Sequence, residues 1–87
     1  MNEEYIVQTG SGSYYHLTYF KGLVLSGDKM ECFQIAGKNA DPSVKYDYPK
    51  LPQDLVLGSV LLLYPQGKKD APTKTTTKIT KVYKKII

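Results

Sequence analysis

SYYHLTYFKGLVL, residues 13–25, is the stretch whose reading decides the fold. It is too long and too aromatic for a loop. Its residues sort by alternation, the side-chain period of a β-strand. Tyr15, Leu17, Tyr19, Lys21, Leu23 and Leu25 share one face. Tyr14, His16, Thr18, Phe20, Gly22 and Val24 share the other. A glycine inside such a run, Gly22, marks a bulge or sharp bend, which lets a sheet curl.

The neighbouring segments extend this pattern. Residues 4–9 (EYIVQT) mix β-branched and aromatic side chains and read as a strand, followed by the turn GSGS at 10–13. Ser26-Gly27-Asp28-Lys29 reads as a hairpin turn. Met30 to Ala36 then returns as a third strand, with Glu31, Phe33 and Ile35 alternating against Cys32 and Gln34. Residues 37–54 contain Pro42, Pro49 and Pro52, which exclude a long helix. One short turn near Asp41-Pro42 is compatible with them. Leu55 to Tyr64 (LVLGSVLLLY) is the most apolar stretch and is expected to be the central strand. PQGKKDAP forms a basic hairpin tip. Thr73 to Ile87 is expected to close the domain as a strand with a bulge near Lys81, in preference to a short amphipathic helix over ITKVYKKII. The expectation is a single all-β domain over 1–87. Its form would be a small five-stranded OB-like barrel with a long irregular connection between strands 3 and 4.

With 87 residues there is room for one domain only. A domain of this size buries about 60% of its unfolded surface, so its stability margin is thin. Cys32 is the only cysteine, so no disulfide can help, and a reducing compartment is expected. One Cys and one His cannot supply four zinc ligands. The longest apolar run, Val60 to Leu63, is too short to span a bilayer. MNEEYIVQ lacks the basic-then-apolar order of a signal peptide. A cytoplasmic protein with no membrane contact and no cofactor is therefore expected.

Charge is unevenly spread. Residues 1–65 carry five lysines and seven carboxylates, whereas residues 66–87 carry seven lysines and one acid, Asp70. There is no arginine, so a bound polyanion would be held by point charges, with little reading of base edges. Catalysis has little support. His16 stands alone between tyrosines, Cys32 lies in an apolar strand, and GSGSYY lacks the spacing of a phosphate loop. The expectation is a binding protein, not an enzyme.

Eight tyrosines and two phenylalanines exceed what a core this small needs. Exposed rings can stack on bases while lysines neutralise phosphates. The candidate nucleic-acid-binding residues are Tyr14, Tyr19, Phe20 and Tyr46 for stacking. Lys21, Lys38, Lys68, Lys69, Lys74, Lys78 and Lys81 are the candidates for phosphate contact.

FQIAGKNAD, LVLGSVLLLY and KTTTKITKVYKK resemble the third, fourth and last strands of OB-fold single-stranded DNA-binding proteins. SYYHLTYF after a Gly-Ser turn resembles the stacking strand of their filamentous-phage relatives. The resemblance implies sequence-tolerant binding of single-stranded nucleic acid, DNA above all, by a phage-type protein. A homodimer is expected as well, since one 87-residue barrel offers a short groove and exposed strand edges. A second segment, VKYDYPKLPQDLVLGSVLLL, resembles the opening of a Src-homology-3 domain through Tyr46, Asp47 and Tyr48, but the paired tryptophans of that family are absent. The competing function is a protein-binding module or inhibitor that uses the tyrosine-rich loop 41–54 as its interface.

Overall fold

Alternation over the first three strands governs the architecture. The computed structural model describes residues 2–24, 27–68, 70 and 74–85. β1 (Asn2–Thr9), β2 (Tyr14–Val24) and β3 (Gly27–Ala36) form an antiparallel meander. Short strands follow: β4 (Tyr46–Asp47), β5 (Leu62–Pro65) and β6 (Lys74–Thr75). β7 (Ile79–Lys85) comes last, and a single 3-10 turn spans Pro52–Asp54. The strand order is β6-β5-β4-β3-β2-β1-β7, a curled, barrel-like antiparallel sheet.

The all-β, barrel-like expectation holds; the five-strand count does not, since the sheet has seven strands. The connectivity differs from an OB barrel as well. An OB barrel is a Greek key, whereas here every strand from β1 to β6 pairs with its sequence neighbour. β6 and β7 lie at opposite ends of that order, yet only residues 76–78 separate them. The bend is tied to the segment before β5. The Thr76 N–H donates to Leu61 O (3.1 Å), and the Ile79 N–H donates to Ser59 O (2.8 Å). One bent strip thus reaches from one edge of the sheet to the other.

Leu55–Tyr64 is not the central strand. Only Leu62–Pro65 is a strand, and it pairs with the two short strands β4 and β6. Gly58 lies in the irregular approach at φ +89°, where its N–H donates to Ile79 O (2.9 Å). An apolar run without alternation carries no register signal; here Leu55 and Leu61 reach the core from irregular backbone and Leu63 from β5, while Leu57 stays exposed. Of the hairpin turn expected at 26–29, Ser26 lies outside the described residues, and Gly27, Asp28 and Lys29 belong to β3. Gly22 does sit at a bend, with φ +60° and a register shift between Phe20 and Val24. The last strand is a strand, and the bulge expected near Lys81 is present. Gln8 pairs with Lys81 and Thr9 with Ile79, which leaves Thr80 as the extra residue. At Asp41-Pro42 the chain makes the short turn anticipated, with the Asp41 carboxylate accepting from the Ser43 N–H (3.1 Å) and hydroxyl (2.6 Å).

The core lies on the concave side. It takes Tyr5 and Val7 from β1, Tyr15, Leu17 and Tyr19 from β2, and Met30 and Cys32 from β3. Tyr48, Leu55, Leu61, Leu63 and Ile79 close over them. Removing these side chains from water is the main stabilising term.

Candidate nucleic-acid interface

The strand residues of opposite parity form the convex, solvent-side face. The register aligns them in rows, because directly paired residues project to the same side. Tyr83 pairs with Ile6, Ile6 with His16, and His16 with Phe33, so these four side chains cross β7, β1, β2 and β3 in one band. The His16 ring meets the Phe33 ring edge-on at 5.0 Å between centroids. The row beside it runs through Lys81, Gln8 and Tyr14. On the other side a polar row runs Lys85, Glu4, Thr18, Glu31, Asp47 and Tyr64. Phe20 lies beyond that row, opposite Lys29. Tyr14, His16, Phe20 and Phe33 are half-buried, and Tyr83 is half exposed.

Two carboxylates of this face are matched by lysines, and the third, Asp47, accepts from the Gly67 N–H (3.1 Å). Lys85 lies 3.6 Å from Glu4, and Lys29 lies 2.9 Å from Glu31. His16 Nε2 is 3.8 Å from Glu4. Lys21, Lys38, Lys68, Lys78 and Lys81 form no ion pair among the described residues and are all exposed. Of these, Lys81 stands on the aromatic face. Lys68 lies elsewhere, on a groove of about 410 Å³ between Lys29, Asp47, Tyr48, Lys50 and Tyr64.

Three expected contacts are corrected. Tyr19 belongs to the core, 8% exposed, and its hydroxyl donates to the Asp28 carboxylate. That bond pushes the phenol up to about 12 and holds Asp28 below the ordinary carboxylate range. Tyr46 packs against the core from β4, opposite Cys32. Lys74 is committed internally, with Nζ donating to Gln34 Oε1 (2.6 Å) and lying 5.5 Å over the Tyr15 ring. A lysine held against a buried glutamine and a buried ring is poorly placed to meet phosphate. Lys69 lies outside the described residues. Within the loop 41–54, Tyr48 is 2% exposed and Tyr46 packs against the core, while Val44 is 40% exposed.

Phe33, Ile6 and Tyr83 went unselected in the sequence. Alternation assigned Phe33 to the face of Glu31 and Ile35, but only the register places it against His16. No known protein family, curated protein or solved structure was found to match this chain.

Proposed function

We propose that the protein binds single-stranded nucleic acid, DNA in the first instance, with little regard to sequence, on the convex face of β7-β1-β2-β3. The observation that carries this reading is the cross-strand band of solvent-side rings His16, Phe33 and Tyr83, with Tyr14 in the row beside it and Phe20 on the same face beyond the polar row. Base stacking on such rings contributes about 1–3 kcal/mol per base and tolerates any base. Tyr14 and Phe20 are six residues apart on one strand, roughly 20 Å, which suits successive bases of an extended chain. Lys81 lies beside Tyr14's row, and Lys21, Lys38 and Lys78 add unpaired positive charge. The lack of arginine fits contacts that position the backbone without reading bases. A non-enzymatic role fits the geometry of the two reactive side chains. His16 faces the convex side while Cys32 is buried on the concave side, so they do not form a pair.

The test is fluorescence anisotropy with labelled oligothymidine at low and moderate salt. Tyr14→Ala and Phe33→Ala should each weaken binding by about 1–3 kcal/mol while the melting temperature, measured alongside, shows the fold intact. Absence of binding at low salt, or unchanged affinity in both folded variants, would overturn the reading.

A further inference from the structure

The far edge of β7 is a second surface, which meets the aromatic face at Lys81 and Tyr83. β7 ends the strand order and is hydrogen-bonded along its length only to β1. The ties from Gly58 and Ser59 occupy its other edge as far as Ile79 and no further. From Thr80 to Lys85 that edge has no backbone partner among the described residues. Beside it lies an open groove of about 490 Å³ formed with Val56, Leu57, Thr80, Lys81, Val82 and Tyr83. Leu57 is 67% exposed, and Val56 and Tyr83 are each 50% exposed. These are the three most exposed large apolar residues among those described, and all three line this groove.

Natural sheets blunt a free edge with charge, and lysines alone would serve that purpose here. An apolar groove along the same edge does the opposite, because it rewards an added strand. We propose that this edge takes an extended segment of another protein, alternating acidic and apolar residues, as an additional antiparallel strand. The incoming backbone continues the line begun by Gly58 and Ser59. Its apolar side chains enter the groove over Val56, Leu57 and Val82, on the side where Val82 pairs with Val7. Its carboxylates meet Lys81, which has no ion pair among the described residues, on the other side. The sequence favours this charge, since residues 71–87 contain no carboxylate.

A second copy of the chain is the less fitting occupant. Antiparallel pairing of two β7 strands about Tyr83 sets Lys81 opposite Lys85 of the second copy twice over. Like charges directly opposed destabilise a strand pair.

The experiment titrates the full chain, labelled with nitrogen-15, with a capped peptide of alternating valine and glutamate about nine residues long, a full strand's length. Saturable binding is expected, with amide shifts confined to Leu57–Ser59 and Thr80–Lys85. Leu57→Asp should weaken it at least about tenfold, and Val56→Asp likewise. Both side chains are largely exposed, so an unchanged melting temperature should accompany the loss. Equal binding of a valine–lysine peptide would overturn the proposal, as would shifts elsewhere or unaltered affinity in both variants. Sedimentation showing a dimer that Leu57→Asp dissolves would assign the edge to a second copy. Amide shifts at Leu57–Ser59 on adding oligothymidine alone would assign the edge to a polyanion.

Discussion

Cys32 has no exposed surface, and burial pushes its thiol up to about 12. The thiolate is the reactive form, so the native protein should resist a thiol-specific reagent at neutral pH and react fully in denaturant. Rapid native labelling would refute this. The tyrosines make a broader prediction. Burial and the Glu3 hydrogen bond push Tyr5 up to about 12, the Asp28 bond does the same for Tyr19, and burial for Tyr48. The unfolded chain loses these protons near the ordinary value of 10, while the native state keeps them to about 12. Their stabilising contribution is therefore complete below pH 10 and falls as pH rises toward 12. A phenolate absorbance titration should show a late step, and denaturation midpoints should drop across that window. Simultaneous ionisation of all eight tyrosines near pH 10 would contradict the structure. At this scale the sequence is informative. Alternation groups Tyr19 with Tyr15 and Leu17, so Tyr19 could not share a stacking face with Tyr14 and Phe20. The burial of Tyr46 was less accessible, because β4 is too short to show a period.

The strands that alternate are the ones whose location was legible. Tyr5–Thr9 of β1, Tyr14–Phe20 of β2 and Met30–Gln34 of β3 keep a period of two in burial, and each strand was readable from its residues. LVLGSVLLLY does not alternate, and hydrophobicity alone suggested a central strand. Instead Leu55 and Leu61 are buried from irregular backbone while Val56 and Leu57 stay exposed. The register that joins His16 to Phe33 was invisible for another reason, since it depends on how the β2–β3 turn is built. Glycine placement offers the test at this scale. Gly37, after β3, has φ +129°, and a Cβ there would come within 2.5 Å of Ser13 Oγ and 2.8 Å of Gln34 Nε2. Gly12 has φ +87° with open space around it. Gly12→Ala should therefore cost only the left-handed strain, about 1–2 kcal/mol. Gly37→Ala should cost about 1–3 kcal/mol more, because Ser13 and Gln34 must move as well. Urea denaturation of both variants checks the ranking, and equal losses would show that the Ser13–Gln34 contact yields freely.

For the molecule as a whole, the basic final quarter of the chain is divided among several tasks. Lys84 and Lys85 pair with Glu3 and Glu4, and so tie β7 to β1. Lys74 is held by Gln34 and Tyr15. Lys78 and Lys81 remain exposed and without an ion pair among the described residues. A count of charges treats these lysines alike, but the structure does not. Each phosphate neutralised on a single strand contributes about −0.7 to the slope of log affinity against log salt. Lys78→Gln with Lys81→Gln should therefore flatten the oligothymidine slope by up to about 1.4, and weaken all sequences alike. Lys74→Gln should leave the slope unchanged. It should instead lower the melting temperature, since it alters the partner of Gln34, which is only 4% exposed. Stacking is nearly independent of salt, so Phe33→Ala should lower affinity at every salt concentration and preserve the slope. These three variants separate the electrostatic, structural and stacking contributions in one set of titrations. If the double variant keeps both affinity and slope, Lys78 and Lys81 act only to keep the sheet edge soluble. In that case any electrostatic contact with nucleic acid would have to depend on the other exposed lysines without an ion pair, such as Lys21, Lys38 and Lys68.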